Sequence, residues 1–85
     1  MRVISQHGNV DLPYEQIVVY HAMESVIALY NGEKCVLGEY SSKEKAYKAM
    51  EMLREAWINE AIGFTHGIYH RNIIFQFPQD DEIEV

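Results

Sequence analysis

The sequence predicts an α+β fold: a mainly antiparallel sheet of four to six short strands, one long amphipathic helix (about 41–61) packed across it, and a C-terminal strand (73–77). Three observations predict it. Apolar residues recur at helical spacing through SSKEKAYKAMEMLREAWINEA. Asn31-Gly32 sits between two apolar runs, the strongest short-range hairpin signal in the chain. IIFQF, an aromatic β-branched run, is closed by Pro78.

In chain order, Arg2–Gln6 suits a first strand because it is rich in β-branched residues. His7-Gly8-Asn9 is a turn signal, Val10-Asp11-Leu12 can return, and Pro13-Tyr14-Glu15 reads as a bend or bulged edge. Ile17–Tyr20 is a short apolar run, and His21–Glu24 reads as a loop or turn. A type I′ turn needs positive φ at both central residues, so Asn31-Gly32 joins Ser25–Tyr30 to Glu33–Tyr40. Pairing Tyr30 with Glu33 then sets Ala28 opposite Cys35, Ile27 opposite Val36 and Val26 opposite Leu37.

In that register Val26, Ala28, Tyr30, Cys35 and Leu37 share one face, and Ile27, Leu29 and Val36 the other. Both faces are apolar, whereas a sheet covered by a single helix shows one wet face. The second face therefore calls for the C-terminal segment or another subunit. Gly38 marks a bulge or a close approach by the helix start.

The helix opens with Ser41 and Glu44 at capping-box spacing. Ala46, Met50, Leu53 and Trp57 form its apolar stripe, flanked by Ala49 and Ala61, while Lys48, Glu51 and Glu55 lie opposite. Glu44–Lys48 is a favourably oriented i,i+4 pair, and Gly63 is the expected stop. Residues 63–72 are loop-like. Residues 73–77 return to the sheet, because an exposed IIFQF edge invites aggregation.

An 85-residue chain is expected to form one domain, 1–79, followed by an acidic flexible tail, 80–85. Four of the 13 acidic residues (Asp80, Asp81, Glu82 and Glu84) fall in that tail, so the body keeps nine against seven cations. Lys43, Lys45 and Lys48 point in different directions around the helix among glutamates, so no basic stripe exists and nucleic acid is not an expected partner. No apolar run reaches membrane-spanning length, and MRVISQHG is not a signal peptide. With one cysteine, Cys35, no internal disulfide is possible; a cytoplasmic protein without membrane partners is the expectation.

Catalytic signals are weak. His66 and His70 have H-x-x-x-H spacing, but Gly63 and Gly67 argue against a helix there, and in an extended segment the two stand about 13 Å apart, too far for one ion. Cys35 falls among apolar neighbours, and Lys34 beside it faces the other side of its strand. No nucleophile elbow or glycine-rich phosphate loop occurs, and Asp80-Asp81 sits in the tail. The expectation is a non-enzyme without cofactor or metal.

The aromatic content points elsewhere. Six tyrosines, three phenylalanines and Trp57 exceed what a core this small can enclose. Tyr47, Arg54 and Ile58 form a second ledge on the helix, and with Tyr30 and Tyr69 they make a candidate interface, since exposed Tyr and Arg typify contact surfaces. The first reading is a homo-oligomer that binds a host or phage protein. The second is a dimeric sponge for a nucleotide-like signal, of an anti-defence type, using His66, His70, Arg71 and stacked tyrosines. The third is a structural or virion-associated component.

Val3–Gln6 (VISQ), Leu37–Ala46 (LGEYSSKEKA) and Phe75–Pro78 (FQFP) give the chain a provenance. It resembles a family of short uncharacterised phage and prophage proteins of Gram-positive bacteria, marked by a V-I-S-Q start and an L-G-x-Y-x-S-x-E-x-A strand–helix junction. The likeness covers under a third of the chain and transfers no functional residues. It implies an accessory protein acting inside an infected or lysogenic host by binding something.

Overall fold

The computed structural model describes residues 1–65 and 74–85, with side chains described for 1–59 and 74–85. Strands β1 (Arg2–Ile4), β2 (Asp11–Pro13), β3 (Val18–Ala22), β4 (Ser25–Tyr30) and β5 (Glu33–Glu39) precede the helix α1 (Lys43–Thr65), and β6 (Ile74–Gln76) follows it. Single 3-10 turns occupy Tyr14–Gln16 and Asp80–Glu82. The class is α+β, as the periodicities require, but the strands do not form one sheet. They form two sheets of three, ordered β2-β1-β6 and β3-β4-β5.

In the first sheet β1 is central, antiparallel to β2 and parallel to β6. Pro13 is tolerated because β2 is an edge strand, where a missing N–H costs no ladder bond. The hydrophobic C-terminal segment does return, but as a parallel neighbour of β1; Phe77 adds one more step by donating to the Ile4 carbonyl at 3.0 Å. Of the predicted 73–77 strand, Ile73 lies outside the described residues.

The second sheet is a three-stranded meander. Asn31 and Gly32 have φ of 51° and 80°, so the turn has positive φ at both positions. Tyr30–Glu33, Ala28–Cys35 and Ile27–Val36 pair as expected. Val26 pairs with Gly38 rather than with Leu37, because β5 carries an extra residue there. Both Leu37 and Gly38 then turn inward and are buried. A Cβ on Gly38 would come within 2.9 Å of the Tyr40 ring, so the bulge and the close approach occur at one residue. Of the expected loop or turn at His21–Glu24, only the second half is a turn. His21 and Ala22 belong to β3, and Met23-Glu24 is a two-residue turn with Met23 at φ 55°.

Helix α1 begins later and ends later than its sequence implies. Ser42 rather than Ser41 caps it, accepting the Lys45 N–H on its hydroxyl at 3.2 Å, so the third helical residue is Lys45 and the Ser41–Glu44 capping box does not form. The helix passes through Gly63, whose cost of about 1 kcal/mol inside a helix is too small to stop it. Ala46, Ala49 and Leu53 are fully buried, Met50 and Trp57 half-buried. Its main sheet contacts are with β3 and β4. The described part of the helix is not long and apolar enough to cross a membrane.

The two sheets and α1 enclose one core. Val3 and Leu12 come from the first sheet, Val26, Ala28 and Leu37 from the second, and Phe77 and Ile83 from the C-terminal segment. Gln6, 5 % exposed, joins the pieces. Its N–H donates to the Leu37 carbonyl at 2.6 Å, and its side-chain amide donates to the carbonyls of Glu39 and Pro78, each at 3.2 Å. Its Oε1 accepts the Glu39 N–H, and its own carbonyl accepts the Gln79 amide.

The acidic tail does not stand off the body. Ile83 is buried, and the Asp80 carboxylate accepts the Ser41 N–H at 2.7 Å. Lys45 also donates to Asp80, at 2.8 Å to its carbonyl and 3.4 Å to its carboxylate. Asp80, from the far end of the chain, thus adds negative charge at the N-terminus of α1 to that of Glu44 in its first turn.

Candidate interaction surface

Tyr47, Arg54 and Ile58 occupy i, i+7 and i+11 of α1, so they share one face. All three are exposed, Tyr47 at 51 % and Ile58 at 50 %. Tyr47 is nevertheless held in place. The Arg54 guanidinium carbon lies 6.0 Å from its ring centroid, at the reach of a cation–π contact. His21 meets the same ring edge-on from β3, with centroids 6.3 Å apart and planes at 89°. A recess of about 270 Å3 lies between Tyr47, His21, Lys43 and Glu44.

A groove of about 510 Å3 adjoins Arg54. Tyr14, Ile17 and Val19 line it from one side, Met50, Leu53 and Trp57 from the helix. The Tyr14 and Trp57 rings lie 5.2 Å apart with a 36° tilt. Glu15 also borders the groove, and its carboxyl is held below the usual range by a hydrogen bond from the Met1 amine at 3.0 Å. The arrangement offers two aromatic faces, aliphatic walls and one guanidinium, which is the chemistry of a contact surface.

Of the remaining predicted site residues, Tyr30 lines neither of these hollows. Tyr30 is half-buried and packs on the core. Tyr69, His66, His70 and Arg71 lie outside the described residues. Cys35 is a half-buried free thiol packed on the core. Among the described residues no group of three or more His, Cys, Asp or Glu side chains is placed to hold a metal ion. Two contributors escape a sequence reading. His21 falls in the segment that resembles a loop, and Tyr14 meets Trp57 from far along the chain; no local spacing announces either contact.

Comparison with protein-family models, curated proteins and solved structures gives no match.

Proposed function

We propose that the chain is a non-enzymatic accessory protein of phage or prophage origin that acts in the host cytoplasm by binding another protein, and that it self-associates. The observation that carries the binding reading is Tyr47: half exposed, yet fixed between His21 and Arg54, with Ile58 open on the same helical face. An exposed aromatic whose orientation is already set loses little entropy on contact, the property of an interface anchor.

The test is a pull-down from Gram-positive host lysate with the wild type, a Tyr47→Ser/Ile58→Ser double variant and a control variant, Glu55→Gln. A protein retained by the wild type and the control, lost with the double variant, and retained again when purified supports the reading. Equal retention by all three contradicts it.

The groove favours a second reading, in which a planar anionic ligand stacks on Tyr14 and Trp57 and pairs with Arg54. A thermal-shift panel of nucleotides and cyclic nucleotides separates the two, because a ligand that binds only the folded chain raises its Tm.

A further inference from the structure

The β3-β4-β5 sheet turns Val26 and Ala28 into the core and leaves its other side to a second set of side chains. The register lays these out in three rows. Val18, Leu29 and Lys34 form one end, Tyr20, Ile27 and Val36 the middle, and Ala22, Ser25 and Glu39 the other end. Val18 is 61 % and Val36 49 % exposed. None of the five middle and bulky apolar residues (Val18, Tyr20, Ile27, Leu29, Val36) belongs to the core or packs on it.

The layout is antisymmetric about the middle row. One end is bulky and carries a cation; the other is small and carries an anion. Lys34 and Glu39 stand opposite Leu29 and Ser25, four residues apart on β4, so the β5 bulge leaves them about 13 Å apart, and neither has an ion-pair partner among the described residues. A two-fold axis between two such faces, parallel to the middle row, sets Lys34 of each copy over Glu39 of the other. The same operation lays Val18 and Leu29 over Ala22 and Ser25, so volume and charge are matched together. A two-fold axis along the strands instead places Lys34 over Val18 and strands both charges on apolar surface.

From this we propose that the outer face of the β3-β4-β5 sheet is a self-complementary dimer interface, with β5 of one copy antiparallel over β5 of the second. It rests on the self-association reading above and assigns it a face and a geometry. Three strands of about five residues span only about 10 by 17 Å, below the ~800 Å2 per partner of a standard interface. The dimer is therefore concentration-dependent.

Sedimentation equilibrium from about 10 μM to about 1 mM, a range suited to a small interface, tests it with the full chain. The wild type is expected to shift from monomer to dimer. Val36→Glu, at an exposed position, is expected to keep its circular dichroism and remain monomeric. Lys34→Glu and Glu39→Lys each weaken association about tenfold or more, and the double exchange Lys34→Glu/Glu39→Lys restores it, since only opposed pairing of the two sites recovers the match. A dimer undisturbed by Val36→Glu, or no recovery in the double exchange, overturns the interface. If the Tyr47→Ser/Ile58→Ser variant dissociates the dimer instead, self-association stands and this face is wrong. A wild type that stays monomeric at the highest concentration ends both.

Discussion

Gln6 is the residue on which most of the tertiary arrangement converges, because its side chain and backbone together reach β5 and the C-terminal segment from the end of β1. A buried amide with all its partners is stable; the same site without the amide leaves the Glu39 N–H without its acceptor and the Pro78 carbonyl with only the Tyr40 hydroxyl. Gln6→Ala is expected to cost about 2–3 kcal/mol in urea denaturation, against under 1 kcal/mol for a typical surface change. Met23 presents the opposite case. At φ 55° and 71 % exposed, it holds a left-handed conformation without burying anything in exchange. Met23→Gly is expected to raise stability by about 0.5–1 kcal/mol on the same assay, and a loss there would contradict the turn geometry. Neither residue is legible in the sequence. Gln6 gives no local signal because its partners lie far along the chain, and Met-Glu lacks the Asn or Gly that advertises positive φ.

At the scale of elements, the best-read pieces are those fixed by neighbours in sequence. The Asn31-Gly32 turn sets its own strand register, and the apolar stripe of α1 is buried through Ala46, Ala49 and Leu53. What the sequence misplaces is decided at a distance. The bulge beside Gly38 follows from the Tyr40 ring, whose hydroxyl donates to the Pro78 carbonyl at 2.9 Å. Burial, with the Asp80 and Glu82 charges adding to it, pushes that phenol well above its ordinary value and keeps it a donor. Likewise the start of α1 depends on Asp80, in a run whose composition reads as a solvated tail. Hydrogen bonding from the Ser41 N–H, with the Lys45 charge adding to it, holds the Asp80 carboxyl below its usual range. A lowered carboxyl stabilises the fold above the ordinary value near pH 4, and that contribution is lost as pH falls through the lowered one. Asp80→Asn is therefore expected to be less stable than the wild type at pH 7 and to converge with it as pH falls through the lowered value in acid titrations of Tm. Parallel curves would show that the carboxylate charge contributes nothing.

For the molecule as a whole, the division into two three-stranded sheets is the feature least visible in the sequence. Each strand is short and apolar enough to suit a single larger sheet, and only the long-range pairing of β6 with β1 sets the first sheet apart, while the bonds of Gln6 tie it to β5 of the second. The candidate site was legible in part: Tyr47, Arg54 and Ile58 are exposed on one helical face, whereas the supporting His21 and the Tyr14–Trp57 groove depend on tertiary contacts. Two exposed apolar surfaces result, the ledge of α1 and the outer side of the second sheet. The account holds that the ledge is not needed for folding and is kept for a partner. Urea denaturation of the Tyr47→Ser/Ile58→Ser variant tests this most directly. Stability within about 1 kcal/mol of the wild type, two exposed changes of about 0.5 kcal/mol each, is the predicted result. A loss of more than about 2 kcal/mol, the size of a core truncation, would show that these side chains serve the fold and contradict the account.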